Sequence, residues 1–111
     1  MINIRQIKTA SDFNTFKDMQ GDEVHVVKMS AEWCGPCRML ENVILNLDQE
    51  KIGTTLFAEV DVDDEEMEQI TYDYNIRGIP VLLYFKNGEV AKRSVGLVTA
   101  DDIYKALNEL K

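Results

Sequence analysis

Cysteine, histidine and proline are scarce in this chain: its 111 residues hold two cysteines, one histidine and two prolines. A structural zinc site takes about four ligands. Two cysteines and a distant His25 do not make one without a second copy, so no metal is expected and His25 is read as a strand residue outside the chemistry. No apolar run approaches the length of a membrane span, and Met1-Ile2-Asn3-Ile4-Arg5 does not open a leader with a basic stretch and an apolar core. A cytoplasmic protein without a membrane partner is the expectation. Basic residues are also few: 12 Lys and Arg stand against 20 Asp and Glu, a formal net charge of -8, with no basic cluster. That excludes nucleic acid and anionic membrane as expected partners. The acidic run Asp61-Val62-Asp63-Asp64-Glu65-Glu66 lacks the glycine and spacing of a calcium loop and reads as carboxylates at a helix N-terminus. Without repeats or a Ser/Gly-rich linker, residues 1–111 are expected to form one domain with a core that needs no staples.

The few special residues are concentrated. Both cysteines, the only tryptophan and one of the prolines occupy Trp33-Cys34-Gly35-Pro36-Cys37. If this segment opens a helix, the cysteines lie three apart on one face, within disulfide reach, and the pair can close and open without moving the fold. In a reducing compartment such a pair is more often redox-active or metal-binding than a permanent staple.

Hydrophobic periodicity places the motif. Ile2, Ile4 and Gln6 alternate in an edge strand, and Ser11 is expected to cap a helix carrying Phe13, Phe16 and Met19. Val24 to Met29 reads as a buried strand. Pro36 to about Glu50 reads as a helix with Leu40, Val43, Ile44 and Leu47 inward. Leu56 to Val62 is a further strand, and Asp63 and Asp64 offer caps to a helix bearing Met67, Ile70 and Tyr74. Asn87-Gly88 joins two strands, Val81 to Phe85 and Glu89 to Val95, in a tight hairpin. Thr99 with Asp102 starts a last helix with Ile103, Ala106, Leu107 and Leu110 on one stripe. The order β-α-β-α-β-α-β-β-α implies a mixed sheet covered on both faces.

With this order, Trp33 to Cys37, Arg77-Gly78-Ile79-Pro80, Phe85-Lys86-Asn87-Gly88-Glu89 and Val95-Gly96, nearly the whole chain resembles the thioredoxin family. The resemblance implies an α/β thioredoxin fold, a five-stranded mixed sheet of order 1-3-2-4-5 flanked by four helices. It implies a protein-disulfide reductase acting on disulfide-containing protein substrates as a monomer. It further implies that no cofactor is bound and that the redox group is the Cys34/Cys37 disulfide, re-reduced by a flavoprotein partner, thioredoxin reductase. The acidic surface also permits a competing reading, a non-enzymatic binding subunit or chaperone-like module of the same fold.

The chemistry needs a thiolate that attacks a disulfide sulfur. Cys34, at a helix N-terminus where free backbone N–H groups and the helix dipole favour negative charge, is the expected nucleophile, with its thiol pKa lowered. Cys37, one turn deeper, is the expected resolving residue. Pro36 suits a first-turn position, and Gly35 allows close substrate approach. In this family Gly-Pro between the cysteines goes with reduction. The resemblance also makes Pro80 a cis-proline facing the cysteines and Ile79 a substrate-contact residue, the alternative being a trans proline that starts an edge strand. It further implies an apolar docking rim of Trp33, Gly78, Ile79, Val95, Gly96 and Leu97. Core packing is the competing role for Trp33, and a strand ending is the competing role for Gly96.

Two positions depart from the family pattern. A buried aspartate usually stands six residues before the first cysteine, where this chain has Lys28, and a lysine of the adjacent strand is replaced by Glu59. Neither charge is plausibly buried alone, so a Lys28/Glu59 pair is inferred beneath Cys37. Glu59 would relay protons, or Lys28 would hold Cys37 as a thiolate. The competing reading has Lys28 snorkelling to solvent and Glu59 simply exposed. Ser30 replaces an aromatic, and Asn42 replaces a helix-kinking proline.

Overall fold

The computed structural model describes residues 2–19 and 23–111; Met1 and residues 20–22 lie outside the description. The strands are β1 (Ile4–Ile7), β2 (His25–Ser30), β3 (Leu56–Asp61), β4 (Val81–Lys86) and β5 (Glu89–Val95). They form one sheet of order β1-β3-β2-β4-β5, the order expected. β3 runs parallel to β1 and β2, and β4 is antiparallel to β2 and β5. The central strand β2 is buried along its whole length.

Alternation along β2 divides the core into two. Val26 packs with Phe57, Leu82, Leu40, Ile44, Ile103 and Leu107 on one face. That face is covered by α2 (Gly35–Leu45), α3 (Gln49–Ile52) and α5 (Ala100–Glu109). Val27 and Met29 turn to the other face with Phe13, Phe16, Met67, Leu83 and Phe85. There α1 (Ala10–Asp18) and α4 (Glu68–Asp73) provide the cover. Lys28 shares the parity of Val26, so it points to the α2 side.

Four local readings need correction or completion. The helix expected from Pro36 to about Glu50 is broken, which gives five α-helical segments among the described residues rather than four. α2 ends at Leu45 with Asn46 as its C-cap, and Leu47 tucks in through a tight turn to the Ile44 carbonyl. Asp48 then caps α3, accepting from the Glu50 N–H at 2.9 Å, while its own N–H donates to the Tyr104 hydroxyl. Thr9, not Ser11, caps α1, because Thr9 has the extended backbone of a cap and accepts from Asp12 N at 3.0 Å. Of the two aspartates before the next helix, Asp64 is the cap, and it opens a 3₁₀ turn (Glu65–Met67) leading into α4. The hairpin forms as expected, with Asn87 at φ 54 and Gly88 at φ 82, and a bulge follows opposite Tyr84 and Phe85.

Candidate active site

The motif sits where β2 ends and α2 begins. The Cys34 N–H donates to the Ala31 carbonyl at 3.2 Å, turning the chain, and Cys34 becomes the N-cap of α2 with extended backbone. Its Sγ accepts the Cys37 backbone N–H at 3.2 Å, so sulfur fills the place that a serine or aspartate oxygen takes in an ordinary cap. Pro36 lies in the first turn, where its missing N–H leaves no bond unmade. Cys34 and Cys37 are joined as a disulfide with Cα atoms 5.2 Å apart. The oxidised pair is less open than a nucleophile on the surface would be: Cys34 is 4% exposed and Cys37 1%. Ala31, Val62 and Ile79 pack around them.

The facing wall comes from the segment that enters β4. The Ile79–Pro80 peptide is cis, and the Ile79 carbonyl oxygen lies 4.0 Å from Cys34 Sγ. Gly96, at φ 90, donates its N–H to the Pro80 carbonyl at 2.8 Å. A side chain is strained at that φ, which explains a glycine here better than a mere strand ending does. Around the pair, Trp33 is 68% exposed, which removes its core-packing alternative, and Val95 and Leu97 are exposed too. A Cβ built on Gly35 or Gly78 would meet open space. The indole is held by a bond that the sequence reading missed: Nε1 donates to Asp63 Oδ2 at 2.7 Å. In the sequence Asp63 offers only a carboxylate at a helix start.

Lys28 and Glu59 do pair. They face each other in the β2–β3 register, with Nζ 2.7 Å from Oε2, and their side chains are 2% and 18% exposed. The snorkelling alternative therefore fails. Gln6, opposite Glu59 on β1, donates its Nε2 to the other carboxylate oxygen at 3.0 Å. Burial pushes the Glu59 carboxyl up, but the hydrogen bonds from Lys28 and Gln6, the Lys28 charge and the Ser30 hydroxyl together outweigh it and hold the group below its ordinary value. The row opens into a cleft of about 430 Å³, also lined by Lys8, Arg38, Glu41 and Asp61. Cys37 packs among Ala31, Cys34, Val62 and Ile79. The parity of Ile2 and Ile4 already put Gln6 on the same face. Its pairing with Glu59 needed the register.

His25 is buried on β2 against the Phe16 ring, at 5.3 Å between centroids. Burial lowers its pKa, with opposing and reinforcing contributions from Glu23 and Arg5. Among the described residues no group of three or more His, Cys, Asp or Glu side chains is arranged to hold a metal ion. No described helix is long and apolar enough to cross a membrane.

The family model described as Thioredoxin matches residues 5–109. The chain is 34% identical to thioredoxin of Oryctolagus cuniculus over 107 residues, which are 96% of this chain and 98% of that protein. It is 32% identical to thioredoxin of Chlamydia caviae over 104 residues, 94% of this chain and 96% of the other. Among solved structures it is similar to Fasciola hepatica thioredoxin, with TM-score 0.83 and 27% identity over 97% of this chain and 100% of that one.

Proposed function

This chain belongs to the thioredoxin family, and on that premise we propose how its residues divide the work of a protein-disulfide reductase. The protein is a thiol-disulfide oxidoreductase whose redox group is its own cysteine pair, with disulfide-bearing proteins as substrates and a reductase to return the electrons. In our reading the Cys34 thiolate attacks one sulfur of a substrate disulfide and forms a mixed disulfide, expelling the other substrate sulfur as a thiolate. Cys37, once deprotonated, then attacks Cys34 Sγ and expels the second substrate thiolate. Two electrons have passed to the substrate, and the Cys34–Cys37 disulfide remains.

The observation that carries this order is the cap: Cys34 Sγ accepts the first-turn N–H of Cys37 and lies beside the Ile79 carbonyl. Negative charge on that sulfur is favoured by the unsatisfied N–H groups of the turn and by the dipole of α2. Gly35 and Pro36 keep the approach open and the first turn formed. Trp33, Gly78, Ile79, Pro80, Val95, Gly96 and Leu97 make the surface on which an extended substrate docks, an exposed apolar patch of the kind that marks recognition.

Lys28 and Glu59 support this site as an ion pair. Both Glu59 oxygens are engaged and its carboxyl is held low, which favours a fixed charge pair over a proton relay at neutral pH. A cytoplasmic monomer of one domain, re-reduced by thioredoxin reductase, completes the reading. Insulin-reduction turnover tests it: the parent is expected to turn over, and the variant lacking both cysteines is expected to fall to background. Equal rates would move the protein to the non-enzymatic module.

A further inference from the structure

We propose that Arg93 is a positioning residue for the docking segment that carries Gly78, Ile79 and Pro80. This rests on the reading that the segment receives the substrate with Ile79 as its contact residue. α4 ends in a Schellman-type turn: Ile76 N–H donates to the Thr71 carbonyl and Asn75 N–H to the Tyr72 carbonyl, both at 3.0 Å, with Asn75 left-handed at φ 54. That turn sets the direction in which the chain leaves α4 toward Cys34.

Three bonds hold the exit. The Arg93 guanidinium donates through Nη2 to the carbonyl of Tyr74, the C-cap of α4. Arg77 Nε donates to Asn75 Oδ1 at 3.0 Å. At the far end the Gly96 N–H takes the Pro80 carbonyl. Arg93 and Gly96 lie on β5 and just beyond it, so β5 grips residues 74–80 at both ends while Ile79 between them faces the cysteine pair. Arg93 is paired with Leu83 in the β4–β5 register, and the parity of Leu83 puts it on the α4 side of the sheet, where the Tyr74 carbonyl emerges. The fork of Arg93 reaches a carbonyl at the helix end, where the intrahelical ladder runs out, from a fixed strand position, which an alanine side chain cannot do.

A residue acting this way affects substrates that use the docking segment and spares those that do not. Single-turnover oxidation of the reduced protein is measured with insulin and with the small disulfide 5,5′-dithiobis(2-nitrobenzoate). Arg93→Ala is expected to raise the insulin half-saturation concentration about threefold to tenfold, as loss of one hydrogen bond implies. The limiting rate and the small-disulfide rate are expected to stay within about twofold. Arg93→Lys should recover part of the loss. Ile79→Ala, assayed alongside, separates the two claims. If it leaves insulin saturation unchanged, the docking reading falls and this inference with it. If it weakens insulin saturation while Arg93→Ala does not, the positioning role alone is overturned. Equal losses on both disulfides in Arg93→Ala would also overturn it, by assigning Arg93 to the pair or to general stability.

Discussion

Lys28 Nζ lies 2.7 Å from Glu59 Oε2 across two neighbouring parallel strands, with the ammonium almost wholly out of water. Removing one partner leaves the other without its counter-charge, whereas removing both leaves neither charge stranded. Glu59→Gln is expected to lower stability by roughly 2–4 kcal/mol, and Lys28→Met combined with Glu59→Leu to recover much of that. Urea unfolding of the four proteins of the cycle measures it, and additive effects would contradict the pairing. The resolving rate of the double variant should stay within about threefold of the parent, because a fixed pair carries no proton through the reaction.

Stability should fall on the acid side in two stages. His25 is held below its ordinary value of 6.5 by burial, so below that pH the unfolded chain binds a proton that the folded one refuses. Stability therefore declines as pH drops from 6.5 toward the folded value. Glu59 is held below 4.5, so its contribution is complete above 4.5 and is lost as pH falls through its folded value. Unfolding free energies at about pH 7 and about pH 5 should differ in the parent and differ less in His25→Gln. An unchanged difference would remove His25 as the cause.

Cys37→Ser should accumulate a substrate joined through Cys34, since the second attack is lost while the first survives. Mass spectrometry of the trapped adduct reads the position. A trap formed through Cys37 in Cys34→Ser, with none through Cys34 in the reciprocal variant, would reverse the roles.

Asp63 fixes the indole of Trp33. Asp63→Ala should weaken the near-ultraviolet circular dichroism of this single tryptophan and raise the insulin half-saturation concentration about twofold to fivefold, while Asp63→Asn, which keeps an acceptor, should do less. An unchanged tryptophan band in Asp63→Ala would show that packing alone orients the ring.

What was legible in the sequence was chiefly local chemistry. Thr99 and Asp102 cap each other as their spacing suggests; Asn87-Gly88 turns the hairpin; and strand alternation sorts Val26 from Val27 onto opposite faces. The cysteine motif and the exchanged Lys28 and Glu59 stood out against the family's pattern. The contacts that escaped are those set by register or by the meeting of distant loops: Gln6 with Glu59, Asp63 with Trp33, and Arg93 with Tyr74. Residues 46–48 escaped for another reason. The apolar periodicity continues to Leu47, but Asp48 bonds both Tyr104 and Glu50, and those competing bonds end one helix and begin another.

In thiol-disulfide exchange the Cys34/Cys37 pair works as a reductant. Its equilibrium in a glutathione buffer poised at about -200 mV, read by thiol alkylation and mass, measures this. A reductase pair gives up its electrons there, so more than about nine-tenths disulfide is expected. A pair that stays largely dithiol in that buffer would be an oxidant, and the protein would not be a reductase.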